Sequence, residues 1–503
     1  MSLTVRFAAA TALLLASTTL AGAAATVSIS PSYGPPTTTT KVTLAGFTAG
    51  KVVDVYFDTT AKCLVIPDAT GAGSCSFKVP TAALPTTHWI SAVVRATASG
   101  VQKSFLVRTD WPNAHGYNER QDGFARYENV LNKTNVGLLD VAWATGTAIG
   151  ATNNTPVVYR GRIYVGAQNG RLYALDATTG NMISGWPKIL GGSIEQSSPV
   201  AANGFVYVVN RTAGGSVCQL QAFDVTTGAS PSGYPVLIDG VLRGAPIVVA
   251  GKIYLATTSG KIYGFDVAHA TPLPGYPIVV PGNPQLRGTP AHYNGNLYVG
   301  ADDGHLYIYD VATRTKEGDL ATTGAFDTSS PAIYGGMLYY HSYYEHKLHA
   351  YDLDNITSGW PTTYTMAAGA AGTPAATGDK VFVATADGYV HAVDAATGAK
   401  VWTRLMSGYT FFGSPVVANG VVYVGATRQI FAFDASNGAL LWRWGGNFYL
   451  NQGLVVANGM LYAPTRAGRV TAFAVDGAES ARVRAVPKPS LGSLKPPVTQ
   501  VGE

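Results

Sequence analysis

Apolar residues in this chain fall in short alternating runs, and glycine, proline, asparagine and aspartate separate one run from the next. The pattern is plainest between residues 414 and 444. There the runs 414–418 and 421–425 flank Asn419-Gly420, a pair whose glycine accepts positive φ and so closes a tight hairpin. A third run, 429–434, follows a short loop, and Ser436-Asn437-Gly438 turns the chain into a fourth, 439–444. Period-two alternation between turn residues predicts strands, and four antiparallel strands per unit predicts a propeller-type sheet rather than a helical solenoid.

The unit recurs about every forty residues. Its second-strand aromatic is Tyr164, Tyr207, Tyr254, Tyr298, Tyr339, Phe382, Tyr423 and Tyr462. Its third strand ends on Asp176, Asp224, Asp266, Asp310, Asp352, Asp394 and Asp434, with Ala474 in the eighth place. Six of the seven fourth strands carry an aromatic: Trp186, Tyr234, Tyr276, Trp360, Trp402 and Trp442, while Leu320 stands in the other. The eighth copy runs out before its fourth strand, and the stretch 137–143, ending on Trp143, precedes the first copy. A strand lent from the opposite end would close the ring and remove its exposed sheet edges. Residues 137–478 are therefore expected to form an eight-bladed β-propeller in an all-β chain.

The run Ala392-Val393-Asp394-Ala395-Ala396-Thr397-Gly398, followed by Trp402, and its copy around Asp434 and Trp442 resemble the tryptophan-docking motif of quinoprotein-type eight-bladed propellers. Asn135-Val136-Gly137 leading to Trp143 is similar to the strand that begins them. The resemblance implies that Trp143, Trp186, Trp402 and Trp442 pack between neighbouring blades, on corners held by Asp176, Asp394 and Asp434. These residues are then structural and not catalytic.

The flanks read differently. Residues 26–109 hold short alternating runs between Gly, Pro and Thr clusters, the pattern of an antiparallel β-sandwich. Ile29-Ser30-Pro31-Ser32-Tyr33-Gly34-Pro35-Pro36, followed by Ala45-Gly46-Phe47, resembles the opening of bacterial immunoglobulin-like modules of the IPT/TIG type, which implies a spacer. Residues 110–136 concentrate charge (Glu119, Arg120, Asp122, Arg126, Glu128) without alternation and are expected to be an ordered loop packed on the ring. Residues 479–503, with Pro487, Pro489, Pro496 and Pro497, are expected to be disordered. Residues 1–25, with Arg6, an apolar run and a small-residue end, have the form of an export signal.

Charge then narrows the partners. Thirty-four basic and 29 acidic residues among 503 leave a net +5 with no basic stripe, which excludes a nucleic-acid binder. No apolar stretch beyond the signal is long enough to span a bilayer, so the chain is expected to be an exported monomer of the periplasm or exterior. Cys63 and Cys75, twelve positions apart around a turn, are expected to form a local disulfide, and Cys218 to sit unreactive in a loop.

The family resemblance implies two kinds of member. Dehydrogenases hold pyrroloquinoline quinone (PQQ) over calcium at the channel mouth; scaffolds similar to the outer-membrane lipoprotein BamB use the loops to bind partners. The loops entering the innermost strands would ring that mouth, and they supply Glu195, Gln196, Arg243, Arg287, Asp327, Phe411, Phe412 and Asn451. Calcium takes six to eight oxygens, commonly several carboxylates, and here only Glu195 and Asp327 offer charge, from blades nearly opposite. No cofactor is expected on this ground, with PQQ and calcium as the alternative. Arg243 and Arg287 facing an aromatic ledge suit a carbohydrate or an extended segment of a protein partner. His341, His346 and His349 read as a hairpin before a zinc site. The expectation is an exported, non-catalytic binding or scaffold protein; the rival is a PQQ-dependent dehydrogenase.

Overall fold

In the computed structural model the described residues are 24–475 and 486–496, apart from 117–118, 147–148, 195, 213, 327–328, 356–358, 371, 407–412, 447–448 and 451–452. The expected export signal thus lies almost wholly outside them. Among the described residues the fold is all-β, with two single-turn 3-10 helices, Val136–Leu138 and Leu491–Ser493. Among these residues no helix is long and apolar enough to cross a membrane.

From residue 139 onward the strands form eight four-stranded antiparallel sheets, the architecture of a β-propeller. The local rule is visible in the hairpin joining Val416–Ala418 to Val421–Ala426. Asn419 and Gly420 both take positive φ, 45° and 75°, a turn whose twist matches that of its strands. That turn sets the register Val416↔Tyr423, Val417↔Val422 and Ala418↔Val421. All eight second-strand aromatics are consequently buried between sheets.

Adjacent sheets are joined at the Asp corners. Asp394 Oδ1 accepts the N–H groups of Ala396 (3.1 Å) and Thr397 (2.8 Å), and the Thr397 hydroxyl, followed by its N–H, holds the carboxyl below its ordinary pKa. The corner so shaped presents the carbonyl of the next residue to the preceding sheet. Trp360 Nε1 donates to Ala395 O (2.9 Å), Trp402 Nε1 to Ala435 O (3.0 Å) and Trp143 Nε1 to Ala177 O (3.3 Å). Where tyrosine replaces tryptophan the phenol does the same, Tyr234 to Val267 O (3.0 Å) and Tyr276 to Val311 O (3.2 Å). Gly180 closes the first corner at φ +73°, and a Cβ there would lie 2.4 Å from the Trp143 ring. Close approach and backbone conformation both demand glycine at that position.

The eighth sheet takes its outer strand from the other end of the repeat array: Leu139–Ala144 pairs antiparallel with Val470–Val475. Trp442 of the seventh sheet donates to Leu139 O (2.9 Å), so here the first residue of the borrowed strand supplies the acceptor that a corner carbonyl supplies elsewhere.

Residues 26–107 fold as two sheets over a shared core that includes Val42, Leu44, Phe57, Ile90 and Phe105. Cys63 in Thr60–Val65 and Cys75 in Gly73–Lys78 are disulfide-bonded and staple one sheet to the other. Cys218, expected in a loop, lies buried in the strand Val217–Asp224, because the longer hairpin of the second sheet extends through it. The expected disorder from residue 479 does not hold for 486–496. Leu494 packs with Tyr56 and Val93 of the N-terminal module, and backbone carbonyls of the tail accept from its side chains. Proline content lowers the entropy lost on docking, which composition alone had not weighed.

Trp442→Ala is expected to lower unfolding free energy by about 3–5 kcal/mol, and Trp442→Phe by about 1–2 kcal/mol, in equilibrium denaturant titrations. Equal losses would show that burial of the ring does not carry the closure.

Candidate functional site

The interior of the ring is built first by the inner strands. A three-residue edge strand such as Val157–Tyr159 bonds its second-strand partner through its end residues and turns the N–H and C=O of the middle residue inward. Left bare, these groups would form an unpaired edge in every sheet. The chain pairs them with its own lead-in. Trp111 and Val158 exchange both backbone bonds, at 2.8 and 2.9 Å. Ala201 N–H then donates to Pro112 O, His292 to Glu119 O, Ile333 to Arg120 O, Ala376 to Asp122 O and Val417 to Gly123 O, all between 2.8 and 3.0 Å. The described residues between 109 and 128 thus form a strap along the inside of the ring, and they bond seven of its eight sheets.

Side chains fix the strap. Glu128 Oε1 accepts the N–H groups of Val130 and Leu131, while Oε2 accepts from the Thr109 hydroxyl and from Gly459 N–H on the eighth sheet. Gly123, at φ +65°, lies so close to the sixth sheet that a Cβ would come within 2.8 Å of Ala375 Cβ. Asp122 is fully buried and ion-paired with Arg126; burial outweighs that partner and takes its carboxyl up to about 6. Burial also holds His115 down to about 4, neutral at ordinary pH. The charges concentrated in this segment were its sequence signal, yet nothing in their spacing said which carbonyl each inner strand would meet.

Above the strap lies a layer of hydroxyls, each from the residue before an inner-strand proline. Thr155 N–H donates to Ser198 Oγ, Ala245 to Thr289 Oγ1, Thr289 to Ser330 Oγ and Thr373 to Ser414 Oγ, while Gly453 donates to Thr155 Oγ1. Each bond ties one sheet to the next. Trp111, His115 and Gly123 of the strap line the same small void as Thr373, Ser414 and Gly453, so strap and hydroxyl layer are in direct contact.

Beyond that layer are the mouth loops. Of the expected mouth residues, Glu195, Asp327, Phe411, Phe412 and Asn451 lie outside the described residues. Arg243 Nη1 donates to Gln196 Oε1 across two sheets (3.0 Å), and Arg287 Nη2 donates to Gln285 Oε1 in its own loop (3.0 Å). Neither hydrogen bond goes to a carboxylate. Arg243 Nε is buried with no hydrogen-bond partner among the described residues. His349 bonds Glu345 (2.9 Å) and His341 Nε2 lies 2.6 Å from Gly372 O, each within ordinary strand packing. Among the described residues no three His, Cys, Asp or Glu converge as metal ligands.

Sequence reasoning did not find a cleft of about 720 Å³ between the N-terminal module and the first sheet, lined by Tyr33, Lys103, Arg108 and Arg160 among others. Arg160 lies over the rings of Tyr33 (4.6 Å) and Tyr159 (5.3 Å), tying the two parts together.

Comparison with known proteins agrees with this architecture. The sequence profile of the family described as outer membrane protein assembly factor BamB matches residues 120–234 and 357–494, half of the chain. The quinohemoprotein alcohol dehydrogenase ADH IIB of Pseudomonas putida is 35% identical over 78 residues, which are 13% of this chain and 11% of that enzyme. The chain therefore spans about a tenth of that curated relative. BamB from Moraxella catarrhalis superposes with a TM-score of 0.56 at 20% identity, covering 67% of this chain and 99% of that one. The quinohemoprotein alcohol dehydrogenase ADHIIG from Pseudomonas putida also gives 0.56, at 14% identity, covering 73% and 80%. A europium-containing methanol dehydrogenase gives 0.56 at 12% identity, covering 73% and 98%. At these identities the solved structures speak for the fold alone.

Among the described residues no three carboxylates, histidines or cysteines converge to hold a calcium ion, and the two described arginines of the mouth loops bond amides.

The strap supplies a pH test. Because the folded chain raises the Asp122 carboxyl from 3.8 to about 6, this group favours folding fully at low pH and loses that contribution as pH rises through about 6. His115, lowered from 6.5 to about 4, acts in the opposite sense and costs stability as pH falls. Asp122→Asn should therefore make unfolding free energy rise more steeply with pH between 4 and 6 than in the unmodified chain. The difference accumulates to on the order of 2–3 kcal/mol in urea titrations. Parallel profiles would show that burial does not raise this carboxyl.

Proposed function

We propose, from the premise that this chain belongs to the family described as outer membrane protein assembly factor BamB, that it is an exported, non-catalytic scaffold. In this reading the eight sheets are eight blades of one closed propeller, and the N-terminal module is an immunoglobulin-like spacer. The mouth binds an extended segment of a protein partner. The observation that carries the reading is the strap: the chain's own backbone occupies the inner edges of the ring and ties down its interior, leaving the mouth loops as the adaptable surface. Arg243, with an unpaired Nε beside the amide of Gln196, is the donor best placed to meet a partner's carbonyl or carboxylate there.

A second reading, a PQQ-dependent dehydrogenase with calcium, is favoured by the local likeness to quinohemoprotein alcohol dehydrogenase ADH IIB. Titrating the purified chain with PQQ and calcium separates the two. The scaffold reading expects neither stoichiometric cofactor absorbance nor dye reduction; saturable uptake with turnover overturns it. Partner capture from envelope extracts is expected to fall about tenfold in the double variant Arg243→Ala, Arg287→Ala, corresponding to loss of one or two charge-assisted bonds. Unchanged capture would move the binding surface away from the mouth.

A further inference from the structure

The outer face of the five-stranded N-terminal sheet carries an aromatic ledge. Along Thr87–Val94, Ile90 and Ala92 enter the module's core, so Thr87, Trp89, Ser91 and Val93 face the other way by the two-residue period of a strand. Tyr56 and Gln102 flank Ser91 on the neighbouring strands, opposite it in register. An outward face of this kind is ordinarily solvated. Here Ser91 and Tyr56 are 0% and 1% exposed.

The cover is residues 486–496, the segment Val-Pro-Lys-Pro-Ser-Leu-Gly-Ser-Leu-Lys-Pro. Val486 N–H donates to Thr87 O (3.1 Å), and Trp89 Nε1 returns a bond to Val486 O (3.0 Å). Gln102 Nε2 bonds both Ser91 Oγ (3.0 Å) and Pro489 O (2.9 Å), and Tyr56 OH donates to Lys495 O (2.9 Å). The Lys488 ammonium lies 5.1 Å from the Trp89 ring centroid, and Leu494 is wedged beside Tyr56 and Val93. Ser490 (φ −65°, ψ 130°) and Leu494 (φ −78°, ψ 113°) lie near polyproline II values on either side of the single turn Leu491–Ser493.

Three side-chain donors, from tryptophan, glutamine and tyrosine, thus each meet a main-chain carbonyl of an extended, proline-rich segment. That is the chemistry by which aromatic grooves recognise polyproline II ligands: the prolines pre-set the extended form and leave carbonyls without competing N–H groups. A cation over the indole adds a preference for lysine between the prolines.

We propose that this ledge is a recognition site for extended proline-rich segments bearing lysine, and that residues 486–496 are its ligand in cis. The tail ties the end of the repeat array back to the module that precedes it, and a like segment of another protein gains the ledge when the tail leaves. The proposal is independent of what the propeller mouth binds.

A chain ending at residue 485 and the full chain are titrated with a fluorescein-labelled peptide of residues 486–496, read by anisotropy. Saturable one-to-one binding is expected for the truncated chain, and binding at least about tenfold weaker for the full chain, whose tethered tail competes at high effective concentration. In the truncated chain Trp89→Ala and Gln102→Ala are each expected to weaken binding, Trp89→Ala by about tenfold or more, and so is a peptide with Pro487 and Pro489 changed to alanine. Equal binding by truncated and full chains, no binding by a folded truncated chain, or indifference to both substitutions overturns the proposal. Where truncation or Trp89→Ala prevents folding, the full chain with Gln102→Ala decides: hydrogen exchange across 486–496 is expected to quicken several-fold, and unchanged exchange overturns the proposal equally.

Discussion

One contact, repeated around the ring, carries the propeller: an indole or phenol on or just ahead of the outer strand of one sheet donates a hydrogen bond into the backbone carbonyl just past the corner aspartate of the next. The aspartate matters because it takes up two N–H groups of the turn and so aims that carbonyl outward. The glycine matters because the ring lies where its side chain would be. A sheet of four short strands has little stability alone. Docking of this kind converts each sheet's edge into a neighbour's support, and through Trp143 the strand from 139 to 144 extends the same contact across the junction of the eighth and first sheets.

At the inner edge the problem is reversed, since the strands there converge and no further strand can be added. The strap meets it with carbonyls, one per inner strand in most sheets, anchored by a glutamate and a buried aspartate together with the buried Trp111 and Ala125. A single irregular segment can serve many sheets because only one N–H per inner strand points inward. The cost is a carboxyl and an imidazole taken out of water, both displaced from their ordinary ionisation. The hydroxyl layer above it applies the same principle with side chains, each serine or threonine accepting from the backbone of the preceding sheet.

These arrangements divide the molecule into rigid and adaptable parts. Aromatic docking fixes the rim, the strap and hydroxyls fix the axis, and the mouth loops retain polar groups that the fold does not fully use, Arg243 foremost. On the N-terminal module the division is different: its outer sheet face is aromatic and is covered by the tail of the same chain. The disulfide between Cys63 and Cys75 crosses from one sheet to the other, so the small core does not hold the ledge's sheet alone.

The sequence by itself determined the strands, their grouping in fours, and the corner and docking residues, because all of these depend on spacings of a few residues repeated many times. Asn419-Gly420 is a hairpin wherever it stands between alternating runs, and Asp394 with Thr397 and Gly398 is a corner for reasons local to those residues. The lead-in and the tail belong to the tertiary structure. Their partners lie hundreds of residues away, at Val417 and Ala376 for the one and at Trp89 and Tyr56 for the other. Their bonds run mostly through backbone carbonyls, which every residue possesses and no composition reveals. The two described arginines sit between these cases: Arg287 meets Gln285 within its own loop, whereas the pairing of Arg243 with Gln196 depended on which loops the ring brought side by side.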